Sequence, residues 1–120
     1  MTVIAIDVDE VLCDFLPTVA EWHNEVYHTD FHADQFFTYE FHTTWGGSKE
    51  ASDEKMHEFF QSEKFLNGVP VVEGARHILE SFKSKHELHI VTSRHLTLAD
   101  LTEKWLLKNF GSIFKTINFG

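Results

Sequence analysis

The stretch that decides the fold is IAIDVDEVLCDF, residues 4–15, in which an apolar run ends in closely spaced aspartates. Successive side chains of a strand point to opposite faces, so we expect Asp7 and Asp9 to face the same way. Two neighbouring carboxylates repel each other, and burial would add to that cost unless a cation lay between them. The stretch therefore predicts a strand whose end binds a cation.

Composition limits the function classes that remain. A chain of 120 residues is long enough for one domain with a real core, and 19 acidic against 10 basic residues give a net charge of −9. Because the basic residues are scattered, a nucleic acid polymer is a poor candidate partner. No apolar stretch is long enough for a membrane span. The single Cys13 and the lack of room for a signal peptide before the first strand predict a cytoplasmic protein.

Apolar strands alternate with helical patterns along the chain. We expect strands at residues 3–8, at LHIVT (88–92) and at FKTINFG (114–120). The intervening patterns predict helices at about 16–28, 49–62, 74–85 and 97–110. This alternation predicts an α/β fold with a Rossmann-like parallel sheet of three strands, and the uninterrupted apolar strands suggest that both faces are covered.

Local signals place the helix ends and faces. Ser48 should cap the second helix, Thr97 with Asp100 resembles a capping box for the last one, and Gly111 can end it. In the first helix the apolar stripe is expected to consist of Leu16, Val19, Ala20, His23, Val26 and Tyr27.

Both informative polar segments follow a strand, where parallel sheets bind their ligands. They are DVDEV after the first strand and TSR after the second. An apolar strand ending in DxDxVL, followed much later by one ending in Thr, resembles the first two motifs of the haloacid dehalogenase-like superfamily. The residues that carry this resemblance are Asp7, Asp9, Val11, Leu12 and Thr92.

The resemblance implies phosphoryl transfer through an aspartyl-phosphate. Asp7 would be the nucleophile and Asp9 the acid and base, while Asp7, Asp9 and the Val8 carbonyl would hold Mg²⁺. Thr92 and the Ser93 amide would bind the phosphate. Arg94, or His95 beside it, would contact the substrate, although a role at the helix entry is equally compatible with the sequence.

Residues 16–72 resemble a helical cap inserted after the first motif, which leaves residues 1–15 and 73–120 as the core. The sequence patterns DxDxVLxDF and VPVVEGARHIL are similar to those of the deoxyribonucleotidase-like branch. This resemblance implies a small phosphorylated metabolite, such as a nucleoside monophosphate, as substrate. Cap aromatics would then form the pocket wall, with these candidates: Phe36, Phe37, Tyr39, Phe41 and Trp45. For any single aromatic, packing in the cap core is the favoured alternative. The nine histidines raise a zinc site only as a minor alternative, because no pair combines a compact ligand spacing with Cys or carboxylate partners.

The superfamily's third motif, a Lys, and its fourth, an acidic pair, have no counterpart here, so the C-terminal part of the family fold is missing from these residues. The first strand would then have an unpaired edge. The sequence leaves three alternatives open: a fragment, a sheet completed by a second copy as a homodimer, or a rearranged fold. We expect low activity from residues 1–120 alone, and the alternative function is an inactive domain that oligomerises or is completed by a partner.

Overall fold

The computed structural model describes residues 2–36 and 38–120. Strands and helices alternate through these ranges in the following order: β1 Thr2–Ile6, α1 Phe15–Tyr27, a 3₁₀ turn Ala33–Gln35, α2 His42–Trp45, α3 Lys49–Gln61, α4 Glu63–Leu66, α5 Ala75–Phe82, β2 His86–Thr92, a 3₁₀ turn Leu96–Leu98, α6 Ala99–Phe110 and β3 Phe114–Phe119. The chain divides into two compact units, a sheet unit of residues 1–14 and 70–120 and a helical unit of residues 15–69. No helix within the described ranges is long and apolar enough to cross a membrane.

The sheet of the sheet unit is parallel and has the order β1-β2-β3, which confirms the predicted fold class. Ile6 of β1 pairs with Ile90 of β2. On the other side of β2, Thr92 pairs with Phe119 of β3. Because all three strands run the same way, the residues that follow them emerge at one edge of the sheet.

Only one face of the sheet is packed within the described residues. Ile6 and Ile90 are buried, whereas Val3 is 59% and Val91 is 50% exposed on the opposite face. On the packed side Ile4 and Ile6, together with α5 residues such as Leu79, line an apolar cavity of about 200 Å³. The expectation that both faces of the strands are covered is therefore wrong for this part of the chain.

The helix ends follow the local signals in two of three cases. The Ser48 side chain accepts a hydrogen bond from the Ala51 N–H at 3.1 Å and caps α3, and Gly111, with φ +71°, ends α6. The capping box at Thr97 is wrong, because the His95 side chain accepts from the Thr97 N–H and caps a 3₁₀ turn before α6. His95 thus has the helix-entry role.

An aromatic cluster forms the core of the helical unit. Phe59 is fully buried, and its ring lies 5.8 Å from that of Phe15 and 5.5 Å from that of Trp22, both edge-on. Edge-to-face pairs at these distances are favourable beyond the area they bury. The buried face of α1 thus includes Phe15 and Trp22, whereas Val26 is 47% exposed and does not belong to it as the periodicity predicted.

The helical unit also contains a buried histidine, His23. His23 is 1% exposed and stacks on Trp45, with ring centroids 4.4 Å apart. Its Nε2 lies 2.9 Å from the Lys55 Nζ, which can only donate, so Nε2 is the acceptor and the proton sits on Nδ1. Nδ1–H then donates to the Thr29 hydroxyl at 2.8 Å, and that hydroxyl donates to the Asn24 amide oxygen.

This arrangement keeps His23 uncharged. Burial, and then the charge of Lys55, lowers the pKa of His23 from 6.5 to about 4. The unfolded chain therefore binds a proton at His23 between about pH 6.5 and pH 4 that the folded chain does not bind. Stability from this residue is fully present above pH 6.5 and is lost as the pH falls towards 4.

We predict that replacing His23 changes how stability depends on pH. Lowering the pH from about 7 to 4 should reduce the difference in unfolding free energy between the native protein and His23→Gln by on the order of 2 kcal/mol. This is less than the full pKa shift implies, because half-buried Lys55 is partly screened by solvent. Urea unfolding monitored by circular dichroism measures the difference. The same change at exposed His77 is the control, and a pH-independent difference for His23 would contradict the assignment.

Candidate functional site at the carboxyl ends of the strands

The predicted site residues of the sheet unit lie where the register brings the strand ends together. Asp7 follows β1 directly, Thr92 is the last residue of β2, and Gly120 follows β3. A Cβ atom at Gly120 would lie 3.1 Å from the Ser93 Cα, so the ends of β2 and β3 approach closely. Sequence segments more than 80 residues apart therefore meet at one edge of the sheet.

The turn after β1 is built around a single backbone carbonyl. The Val8 oxygen accepts hydrogen bonds from the N–H groups of Leu12 at 2.9 Å, Cys13 at 3.1 Å and Val11 at 3.4 Å. Glu10, with φ +66°, completes the turn by donating its N–H to the Cys13 carbonyl. Because three donors already share the two lone pairs of this carbonyl oxygen, a metal ion at Val8 would compete with the hydrogen bonds of the turn. Metal binding by Val8 stays a prediction.

Asp7 and Asp9 lie in different surroundings. Asp7 is exposed, and its Oδ1 accepts a hydrogen bond from the Val8 N–H at 2.7 Å. The Asp9 side chain is only 13% exposed and forms an ion pair with Arg94. The first aspartate is thus open to a ligand, whereas the second is held by the protein.

The Arg94 side chain forms hydrogen bonds to the Asp9 carboxylate through two nitrogens. Its Nη2 donates to the Asp9 Oδ1 at 2.7 Å, and its Nε lies 3.2 and 3.1 Å from Oδ1 and Oδ2. The remaining nitrogen, Nη1, donates to the hydroxyl of Thr102, which is fully buried on α6, at 3.0 Å. Burial opposes the charge of Arg94, but the hydrogen bonds and the negative charge of Asp9 outweigh it and raise the pKa of Arg94.

The buried Cys13 completes this cluster. Its thiol donates to the Asp9 Oδ1 at 3.4 Å, and the Arg94 Nη2 lies 3.6 Å from its sulfur. Burial, reinforced by the negative charge of Asp9, raises the pKa of the Cys13 thiol far above its usual range. Cys13 is therefore a neutral hydrogen-bond donor and a packed side chain, because the thiolate is the reactive form of cysteine.

Thr92 and Ser93 differ in exposure. Thr92 is 2% exposed, and its hydroxyl oxygen accepts a hydrogen bond from the Arg94 N–H at 3.1 Å. Having accepted that bond, the hydroxyl keeps its own proton to donate. Ser93 is exposed at the end of the strand. Phosphate binding by these two residues stays a prediction.

Arg94 was predicted as a substrate contact, and its guanidinium is directed at protein groups instead. The side chain is 7% exposed, and its nitrogens donate to Asp9, Thr102 and Cys13. The sequence carried no signal for these hydrogen bonds to Asp9 and Thr102 apart from the position of Arg94 just after β2. Thr102 was missed because one threonine on an otherwise apolar helix face looks like a packing residue.

The predicted aromatic pocket residues can be located except for Phe37, which lies outside the described residues. Phe41 is 3% exposed and packs against the rings of Phe36 and Trp45 at 5.4 and 5.3 Å. Trp45 stacks on His23. The structure thus places Phe41 in the core of the helical unit, whereas Trp45 is half-buried and Tyr39 is 58% exposed. Contact of these aromatic residues with a substrate stays a prediction.

The residues at the strand ends supply only some of the oxygen ligands that a Mg²⁺ ion needs. Mg²⁺ is usually held by one or two carboxylates, with water and substrate phosphate completing its shell. Asp7 provides one open carboxylate, whereas Asp9 is ion-paired and the Val8 carbonyl is engaged. Among the described residues no three His, Cys, Asp or Glu side chains are grouped to hold a metal ion, so neither a closed magnesium cage nor the minor zinc alternative has structural support.

A comparison with protein families finds a match over nearly the whole length of the chain. The family model described as "5' nucleotidase, deoxy (Pyrimidine), cytosolic type C protein" matches residues 1–118. No curated protein shows a significant sequence match.

Among solved structures, the chain is similar to a haloacid dehalogenase-like family hydrolase from Streptococcus pneumoniae, with 15% identity, a TM-score of 0.68, and coverage of 100% of this chain and 61% of that one. A Thermotoga maritima protein provisionally named a beta-phosphoglucomutase shares 23% identity at a TM-score of 0.62, with 100% of this chain and 62% of that one covered. A HAD-superfamily hydrolase, subfamily IA, from Geobacter sulfurreducens has 13% identity and a TM-score of 0.59, with 99% and 63% covered. At these identities the likeness shows the fold, and the chain spans less than two thirds of each structure.

We predict that Cys13 is unreactive in the folded protein. A neutral, fully buried thiol should react with a disulfide reagent about 100-fold more slowly than the same thiol in concentrated guanidinium chloride. Because Cys13 is the single cysteine, absorbance of the released aryl thiolate follows this one residue. Complete native-state labelling within minutes at mildly alkaline pH would contradict the placement of Cys13.

Proposed function

The chain belongs to the family of cytosolic type C 5′-nucleotidases (deoxy, pyrimidine), and on this premise we propose that its strand ends form the phosphoryl-transfer site of a Mg²⁺-dependent phosphohydrolase. The observation that carries the proposal is the exposed carboxylate of Asp7 directly after β1. The end of β2, with Thr92, lies beside it in the parallel register. Parallel sheets bind their ligands at this edge.

In the proposed reaction, an Asp7 carboxylate oxygen attacks phosphorus and forms an aspartyl-phosphate while the bond to the substrate oxygen breaks. For this step Asp9 must first take up a proton from solvent, and the leaving oxygen then takes that proton from Asp9. Water then attacks the aspartyl-phosphate and gives its proton back to Asp9, which releases inorganic phosphate and regenerates Asp7. When bound at Asp7, Mg²⁺ would neutralise charge on the phosphate.

Thr92 is the proposed phosphate ligand. Its hydroxyl oxygen accepts from the Arg94 N–H, so the hydroxyl proton remains for a phosphate oxygen. A donor held in advance by the backbone stabilises developing charge without having to reorient. The buried position of Thr92 supports this assignment, because neighbouring atoms restrict where the hydroxyl can point.

A nucleoside monophosphate is the proposed substrate class. The family description names deoxy and pyrimidine nucleotides, and a 5′-phosphate monoester fits a site with a carboxylate nucleophile. Cytoplasmic location is part of the same proposal and is supported by the family description.

We predict that phosphate release depends on both Mg²⁺ and Asp7. The 120-residue chain should hydrolyse an aryl phosphate or a deoxynucleoside monophosphate slowly, because one open carboxylate holds the metal weakly. Removing the metal with EDTA or making Asp7→Asn should lower the rate by about 100-fold or more. Glu10→Gln is the matched control, because Glu10 is an exposed acid of the same turn.

Two outcomes of this assay would count against the proposal. Equal rates for the native protein and Asp7→Asn would remove Asp7 from the mechanism. Absence of any phosphate release, combined with no ¹⁹F NMR signal for trifluoroberyllate bound to Asp7, would favour the inactive alternative, because that anion mimics a phosphoryl group on a carboxylate.

A second candidate role, an oligomerising domain, is favoured by the free edge of β1. β1 pairs only with β2 in the described sheet, and the apolar cavity beside Ile4 and Ile6 lies along it. An unpaired edge beside apolar surface is a template for pairing with another chain. We therefore propose that two copies associate through β1.

We predict a concentration-dependent dimer in light scattering coupled to size-exclusion chromatography. Val3→Lys places a charge on β1 at a position that is 59% exposed, so it should shift the equilibrium towards monomer without unfolding the chain. Leu107→Lys on α6, also 59% exposed, is the matched control and should leave the mass unchanged. A well-folded monomer at all concentrations would exclude completion by a second copy.

A further inference from the structure

We infer that Arg94 is a positioning residue that holds the Asp9 carboxylate in one orientation for proton transfer, with Thr102 as its anchor on α6. The hydrogen bonds are part of the structure, and their importance for turnover rests on the proposed function. The inference goes beyond that function by assigning a positioning role to Arg94, which the sequence predicted as a substrate contact, and to Thr102, which the sequence did not single out.

The hydrogen bonds from Arg94 restrict both the position and the plane of the Asp9 carboxylate. Contacts from Nη2 to Oδ1 at 2.7 Å and from Nε to Oδ2 at 3.1 Å engage both carboxylate oxygens. Two-point contact with a planar guanidinium fixes the plane of the carboxylate as well as its distance. A lysine at position 94 would supply the charge but not this orientation.

The guanidinium is itself fixed from its far side. The Thr102 hydroxyl accepts from Nη1 at 3.0 Å, and Thr102 is fully buried. The Arg94 side chain is 7% exposed, so it has little room to turn towards solvent. Helix α6 thereby sets the position of a carboxylate on the turn after β1.

Arg94 also connects the two chemical groups of the proposed site. Its backbone N–H donates to the Thr92 hydroxyl, while its side chain holds Asp9. The predicted phosphate ligand and the predicted acid and base therefore share one residue as support. A shift of Arg94 would misplace both groups, and misplacement by about 1 Å can cost about 100-fold in rate.

The first test measures the hydrogen bonds of Arg94 without any turnover. The chain contains two arginines, Arg94 and the exposed Arg76, so the Nε–H region of a ¹⁵N NMR spectrum holds two side-chain signals. The Arg76 Nε–H donates to the Asn109 carbonyl at 2.9 Å on the protein surface, so Arg76 is the internal reference for a solvent-exposed hydrogen bond. We expect hydrogen exchange at the Arg94 Nε–H to be at least about tenfold slower than at Arg76. Asp9→Asn and Thr102→Val should each reduce that protection, whereas Thr102→Ser, which keeps the hydroxyl, should retain it. Equal exchange of the two arginines in the native protein would overturn the inference.

The second test asks whether these hydrogen bonds serve proton transfer. Arg94→Lys and Thr102→Val should lower kcat for an alkyl phosphate by about 10- to 100-fold with KM changed less than about threefold, because a positioning residue acts after binding. The loss should be smaller for a nitrophenyl phosphate, whose leaving group needs no proton. Arg76→Lys, the same substitution at an exposed arginine that contacts Asn109, is the control.

The outcomes separate this inference from the proposed function. A rise in KM with kcat unchanged would make Arg94 a substrate contact and overturn the inference. If the native chain releases no phosphate from any substrate, the proposed function fails, while the exchange experiment still decides whether Arg94 holds Asp9. Circular dichroism spectra identify any variant that has lost its fold, and in that case Thr102→Val and Thr102→Ser carry the comparison.

Discussion

The ion pair between Asp9 and Arg94 is the interaction on which the rest of the site depends. It joins residues 85 positions apart in the chain and brings together the turn after β1, the end of β2 and helix α6. Burying two charges is expensive, and such pairs add little net stability compared with apolar side chains of the same volume. Its physical contribution is therefore better described as orientation: a carboxylate that would otherwise rotate freely has a defined plane and direction.

The parallel register makes this interaction available. β2 pairs with β1 on one side and β3 on the other, so the ends of all three strands emerge at one edge. The Val8 carbonyl then accepts hydrogen bonds from three backbone N–H groups, and these bonds form a tight turn after Asp7. As a result Asp7 is directed to solvent while Asp9 turns towards Arg94, although strand alternation alone predicts the same direction for both.

Features set by local chemistry were predictable from the sequence. The three strands were visible as apolar runs, and Ser48 and Gly111 mark helix ends because their conformational preferences do not depend on distant contacts. Features that depend on tertiary geometry were not predictable. The sequence carries no signature of how many donors a backbone carbonyl will accept, so the three hydrogen bonds to Val8 could not be predicted. His95 replaced Thr97 as a cap because the ring nitrogen reaches a backbone N–H, a competition that residue spacing does not reveal.

The candidate site shows the same division. Asp7, Asp9 and Thr92 could be named because each follows an apolar strand. The hydrogen-bond network around Asp9 and Arg94 could not, because Thr102 and Cys13 look like ordinary packing residues in sequence. The helical unit adds a further example, since nothing in the sequence separates Phe41, which is buried against Phe36, from Trp45, which stacks on His23 and is half-buried.

The exposed apolar face of the sheet affects how readily the chain aggregates in a cell. Val3 and Val91 present apolar side chains to water, and β1 pairs with no other strand than β2 within residues 2–36 and 38–120. Such a surface is an aggregation hazard at high concentration and a target for chaperones during synthesis. A second chain or segment that packed on this face would remove the hazard.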